Sequence, residues 1–241
     1  MRKFIFVKNE KNISTMKKYA VLLAGSGVYD GSEIHEATFA LLSIKQNGAD
    51  YQCFAPNKNQ HHVINHLTGE EMPESRNILI ESARIARGQV KDLKELDASH
   101  YDGLVMPGGF GAAKNWSKWA FDGPEGEVDP DVKKTILDFL ALGKPICALC
   151  VAPAILAKAL QDTSYQAEVT LGSTAEPSPY DIAGTHTAVS TLGVKTIEKT
   201  LRDIHIDHHN RIITAPCYMM EGSIADIYSN VKMAIDQLVR I

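Results

Sequence analysis

The chain contains no apolar run approaching the roughly 18 residues that a membrane-crossing helix needs, and no block of like charges. Its 25 Lys and Arg against 29 Asp and Glu leave a net charge of -4, which offers no electrostatic footprint for nucleic acid or an anionic membrane surface. Cysteine is scarce, with only Cys53, Cys147, Cys150 and Cys217 present. These are too few, and too embedded in strand-like stretches, to form a disulfide framework; a reducing compartment, the cytoplasm, is expected. No internal repeat and no low-complexity linker divides the chain. Gly25-Ser26-Gly27 lacks the third glycine and acidic partner of a dinucleotide site. Neither His61, His62 and His66 nor His205, His208 and His209 have the ligand spacing of a zinc site. No cofactor and no metal are therefore expected.

What is present suffices for one sizeable core, since 44% of the 241 residues are hydrophobic. Residues 1–15 read as an N-terminal extension whose apolar stretch is too short for a secretory signal, and residues 16–241 as a single domain. Ala20 to Ala24 predicts a buried strand, followed by a glycine-punctuated loop and by Ser32 as the cap of a helix from Glu33 to Gln46. In that helix Ile34, Ala37, Leu41 and Ile44 form one apolar stripe. A strand at Asp50–Pro56 closes a parallel unit with right-handed crossover. Residues 57–74 read as an insertion, 76–87 as a helix, Gly103-Leu104-Val105-Met106 as a strand and 116–126 as a loop. There Trp116 and Trp119 either pack or line a crevice. A helix over 131–142, strands at 145–149 and 169–171, a hairpin over 204–215 and a closing helix over 223–239 complete the alternation. The pattern predicts an α/β, doubly wound, mostly parallel sheet with ligands at the carboxyl ends of its strands.

The most informative stretch is Pro145-Ile146-Cys147-Ala148-Leu149-Cys150, where an apolar run stops at Cys150 and Val151-Ala152-Pro153-Ala154 starts a helix. This reads as a nucleophile elbow, with the Cys150 thiol at a helix N-terminus that favours thiolate. The competing reading is a cysteine buried as a small hydrophobe. Pro107-Gly108-Gly109-Phe110-Gly111, after the Gly103–Met106 strand, offers amides at Gly108 and Gly109 that could hold an oxyanion beside the thiol. Glu33 and Glu36, at the top of the first helix, could exchange a proton with that thiol, and helical spacing favours Glu33. Cys147 falls inside the strand and reads as core. Cys217 reads as a buried structural thiol.

Taken together, residues 27–37, Phe54-Ala55-Pro56, residues 65–70, residues 107–115 and Cys150-Val151-Ala152-Pro153-Ala154 resemble the ElbB family, also called enhancing lycopene biosynthesis or glyoxalase-like proteins. That family lies in the PfpI-like branch of the type 1 glutamine amidotransferase superfamily. The resemblance implies a flavodoxin-like sheet, a reactive Cys150, a catalytic glutamate mapped to Glu36, a homodimer and a link to isoprenoid biosynthesis. It also implies glyoxalase chemistry without glutathione or metal: a small 2-oxoaldehyde becomes a 2-hydroxy acid through a cysteine adduct, with the Gly109 and Val151 amides on the oxyanion, as in a hydro-lyase. The chain departs from amidotransferases and PfpI-like proteases by having Val151 and Gly172 where those proteins place a triad histidine; His186 is the nearest candidate in sequence. Triad hydrolysis of glutamine or peptides is therefore disfavoured. The alternative is a redox-sensing or non-catalytic accessory protein that keeps a reactive elbow cysteine.

Overall fold

The computed structural model describes residues 16–241, so the expected extension at 1–15 lies outside the described residues. Strands and helices alternate as β1 (Lys18–Leu22), α1 (Ile34–Gln46), β2 (Asp50–Ala55), α2 (Ile78–Ile85), β3 (Val90–Asp92) and β4 (Gly103–Met106). Two short helices follow, α3 (Phe110–Lys114) and α4 (Trp119–Asp122), then α5 (Pro130–Ala141), β5 (Ile146–Leu149) and α6 (Ala152–Leu160). The rest comprises β6 (Glu168–Val169), α7 (Ile182–Ser190), β7 (Lys195–Thr196), β8 (His205–Asp207), β9 (Ile212–Ala215) and α8 (Ile224–Arg240).

Seven strands form one sheet in the order β3-β2-β1-β4-β5-β9-β8. Every pairing in it is parallel except that of β8 with β9. With edge strand β3 set aside, β2-β1-β4-β5-β9 is the 2-1-3-4-5 order of a flavodoxin-like sheet. The strands read as continuous apolar runs because both faces are covered. Along β1, Ala20 and Leu22 pack into the layer that holds α3, α5 and α6, while Tyr19 and Val21 pack into the layer of α1, α2 and α8. The strand order reverses between β1 and β4, and a crevice opens there, beyond the carboxyl ends. The loops after β1, β4 and β5 all reach it.

Several expectations are corrected. β1 begins at Lys18, two residues before the expected start. The cap of α1 is Glu33, whose side chain accepts from the Glu36 N–H, and not Ser32. Ser32 is buried and its Oγ accepts from the Ala24 N–H at 2.8 Å, which locks the loop after β1. Ile34, expected on the apolar stripe, is 46% exposed, whereas Glu36 is fully buried. The helix is thus turned to aim a carboxyl at the sheet edge. The expected strand at 169–171 is only the two-residue β6, paired with β7 in a separate small sheet. The expected loop over 116–126 contains α4, and His186 lies within α7. The three-residue β3 is too short to carry a readable alternation.

Candidate active site

β5 ends at Leu149, and the next residue bends the chain sharply. Cys150 has φ +60°, a left-handed conformation that costs a side-chain-bearing residue about 1–3 kcal/mol. Its N–H donates to the Ala215 carbonyl at 2.8 Å, so the bend starts from an intact ladder with β9. Proline at the start of α6 then sets the helix without a missing donor. The sequence-predicted elbow is present. Its side chain is 6% exposed and opens on a cavity of about 280 Å³ whose walls include Phe110, Trp119, Tyr180 and Met219.

Glu36 reaches the thiol from α1 and has no exposed surface. Oε2 accepts from the Gly108 N–H at 2.9 Å, and Oε1 accepts from the Tyr218 N–H at 3.2 Å. The carboxyl is the immediate side-chain neighbour of the Cys150 thiol, and each shifts the ionisation of the other. Glycine at 108 is what allows this approach. A Cβ there would lie 2.4 Å from the Cys150 Cβ, 2.7 Å from Glu36 Oε2 and 2.9 Å from the Cys150 Sγ. Gly109 has φ +95°, and a Cβ on it would meet the Glu33 nitrogen at 2.3 Å.

Glu33 does not face the thiol, so the helical-spacing preference for it is overturned. It is a positioning group: its carboxylate caps α1 by accepting from the Glu36 N–H at 2.7 Å, and its own N–H donates to the Gly108 carbonyl at 3.0 Å. These two bonds tie the top of α1 to the loop after β4. The backbone amides of Gly109 and Val151 lie near the Cys150 sulfur, where they favour its thiolate form.

Burial dominates the electrostatics. It raises the Glu36 carboxyl to about 8, with the nearby Glu33 charge adding to the rise and the Tyr218 and Gly108 amides opposing it. Burial also pushes the Cys150 thiol well above its ordinary value, and Glu36 adds to this, outweighing the Gly109 and Val151 amides. The expectation that the elbow alone favours thiolate is therefore corrected. At neutral pH the resting pair is a thiol beside a largely protonated carboxyl, and the two titrate as a coupled unit.

His186 is not brought to the thiol. It is absent from the cavity wall, its charge partner is Glu198, and its Nε2 has no hydrogen-bond partner among the described residues. Trp116 is fully buried and donates to the Leu23 carbonyl at 3.3 Å; Trp119 lines the cavity. Cys147 is core, and Cys217 is buried with φ +46° in the turn that places Tyr218. Among the described residues no cluster of three or more His, Cys, Asp or Glu side chains is arranged to hold a metal ion. Sequence reasoning missed Tyr218 and Tyr180. The available signal for Tyr218 was its position just after the last parallel strand, at the ligand-binding edge.

No protein-family model matches the chain. It is 41% identical over 228 residues to human "Glutamine amidotransferase-like class 1 domain-containing protein 3, mitochondrial", covering 93% of this chain and 83% of that protein. It is 40% identical to rat "ES1 protein homolog, mitochondrial", covering 93% and 84% respectively. Among solved structures it resembles an isoprenoid biosynthesis protein with amidotransferase-like domain from Ehrlichia chaffeensis, at TM-score 0.84 and 35% identity, covering 93% of this chain and 98% of that one. Drosophila melanogaster DJ-1beta shares the fold at TM-score 0.51 and 16% identity, covering 94% and 97%.

Two outcomes follow from the geometry. Gly108→Ala overpacks the site, so it should cost about 1–3 kcal/mol in denaturant unfolding and slow alkylation of Cys150 by iodoacetamide at least ten-fold. Wild-type values for both would contradict the packing described. The second outcome concerns pH. The folded Glu36 keeps its proton above the ordinary value of 4.5, so the folded state binds more protons than the unfolded one between 4.5 and about 8. Its contribution to stability is full below 4.5 and is lost as pH rises through about 8. Denaturant midpoints measured from pH 5 to 9 should therefore fall in the wild type and fall less in Glu36→Gln.

Proposed function

The chain belongs to the glutamine amidotransferase-like class 1 family that includes the ES1 proteins, and from that premise we propose that it is a glyoxalase-type enzyme of the ElbB branch. In this reading it converts a small 2-oxoaldehyde to a 2-hydroxy acid in the cytoplasm, in a setting linked to isoprenoid biosynthesis. The observation that carries the proposal is the buried pair itself: a strained cysteine at an elbow, opening on a cavity, with a buried carboxyl beside its sulfur and, among the described residues, no histidine on the cavity wall. The name of the Ehrlichia chaffeensis protein supports the isoprenoid setting. Four free thiols, all buried, support a reducing compartment. The curated relatives are named as mitochondrial. Among the described residues no helix is long and apolar enough to cross a membrane.

A carboxyl raised to about 8 is matched to proton transfer near neutral pH. In its ionised form Glu36 takes the thiol proton as the sulfur forms a bond to the aldehyde carbon. The carbonyl electron pair moves onto oxygen. The Gly109 and Val151 amides lie near the sulfur in the free protein, and an oxyanion on the attacked carbon comes within their reach. Glu36 hands the thiol proton to that oxyanion, giving a hemithioacetal, and then carries the proton from the aldehyde carbon to the neighbouring carbon by way of an enediol, as the hydroxyl proton passes to the ketone oxygen, leaving a thioester. Water cleaves the carbon–sulfur bond, releasing the 2-hydroxy acid and restoring the thiol. The ketone carbon is reduced as the aldehyde carbon is oxidised, so the rearrangement balances internally with one water added overall.

Turnover of methylglyoxal to lactate tests the reading. Cys150→Ala should abolish it, and Glu36→Gln should lower kcat/KM by about 10²-fold or more. Retention of wild-type rates in either variant would overturn the mechanism. The wild-type kcat/KM should rise with pH and level off above about 8, because only the ionised carboxyl accepts the proton. Absence of saturable turnover, together with selective peroxide oxidation of Cys150, would favour the redox-sensing alternative instead.

A further inference from the structure

The cavity beside Cys150 is walled mainly by apolar and aromatic side chains. Phe110, Trp119 and Tyr180 contribute aromatic rings, Ala113, Ala120 and Met219 add aliphatic surface, and among the described residues no Lys, Arg, His, Asp or Glu side chain lines it. Besides the sulfur, the polar side-chain groups on its wall are the Tyr180 and Thr185 hydroxyls and the Trp119 indole N–H, all uncharged. The Lys114 Nζ lies 5.3 Å from the Phe110 ring centroid and donates to the Tyr29 carbonyl at 3.0 Å; Phe110 lines the cavity wall and Lys114 is absent from it. Among the described residues the ionisable groups around the thiol are Glu36, Glu33 behind it, Cys217 and Tyr180, all of them acids. An anionic substrate would thus be desolvated without a cationic partner and would face like charge. The volume of about 280 Å³ lies at the small end of ligand pockets. Phe110 and Tyr180 meet edge-on, with ring centroids 6.2 Å apart, and such walls suit a flat ring.

We propose that this cavity binds the uncharged, flat and apolar side chain of the substrate, with Trp119 as a specificity-determining wall. The substrate class is then an aryl or similarly planar 2-oxoaldehyde rather than one bearing a carboxylate or phosphate. This inference deepens the aldehyde reading and rests on it for the reacting group. The same lack of cations gives the α-carboxylate of glutamine no partner here, which sets this site apart from one built for that amino acid.

The test uses two readouts. In the first, acetophenone and 4-acetylbenzoate, unreactive ketones that differ only by a carboxylate, compete with iodoacetamide for access to Cys150. Acetophenone should slow alkylation at concentrations at least ten-fold below those needed for 4-acetylbenzoate. Trp119→Ala should weaken acetophenone protection at least five-fold, as a ratio of rates with and without the ketone in the same variant, and Trp119→Phe should restore most of it. Equal protection by the two ketones, no protection by acetophenone, or full protection in Trp119→Ala would overturn the proposal. In the second readout, kcat/KM for phenylglyoxal should exceed that for methylglyoxal at least ten-fold, and the reverse order would overturn it. Protection as described with no turnover of either aldehyde would uphold the pocket's preference and overturn the aldehyde chemistry.

Discussion

The contact between two buried acids, the Cys150 thiol and the Glu36 carboxyl, governs the rest of this site. Each would be ionised or ionisable at modest cost in water. Packed together at the rim of the sheet, they share a region where a negative charge on either one is opposed by burial and by its neighbour. Only one charge can be carried there comfortably, and the amides around it determine where that charge rests. The Gly108 and Tyr218 N–H groups serve the carboxyl, while those of Gly109 and Val151 serve the sulfur. Four donors from three separate loops thus converge on one proton.

The fold exists to make that convergence possible. A parallel sheet places the ends of β1, β4 and β5 side by side, and the reversal of strand order beside β4 leaves room above them. Backbone economy does the rest. Gly108 removes a Cβ that would collide with both the cysteine and the carboxylate, and Gly109 supplies a positive φ next to Glu33. The cysteine, by contrast, keeps its side chain in a strained conformation, held by the β9 ladder on one side and by α6 on the other. Strain of this kind persists because the surrounding structure over-determines it.

The sheet, its alternation with helices and the elbow were legible in sequence because each depends on local pattern: short apolar runs, glycine punctuation and a proline at the start of a helix. The facing of α1 was not. Ile34 falls on the apolar period, yet it lies at the surface, and Glu36 takes the buried place because its partners, Gly108, Tyr218 and Cys150, are 72, 182 and 114 residues away in the chain. The resemblance to a known family pointed to Glu36 where helical counting pointed to Glu33. The thiol's ionisation was misjudged for a related reason. The helix N-terminus is a local feature, whereas the burial that outweighs it arises from loops brought together by the fold. Tyr180 was invisible as a site residue because only tertiary packing brings its turn over the crevice, and for Tyr218 the one signal was its place just after β9.

The central claim is that burial keeps the Glu36 carboxyl protonated at neutral pH and so fits it to exchange a proton with Cys150. A ¹³C NMR titration of the glutamate side-chain carboxyls, with the Glu36 signal identified by its loss in Glu36→Gln, tests this most directly. The account predicts a midpoint near 8. A midpoint at the ordinary value of 4.5 would show a carboxylate charged throughout the physiological range and would contradict it.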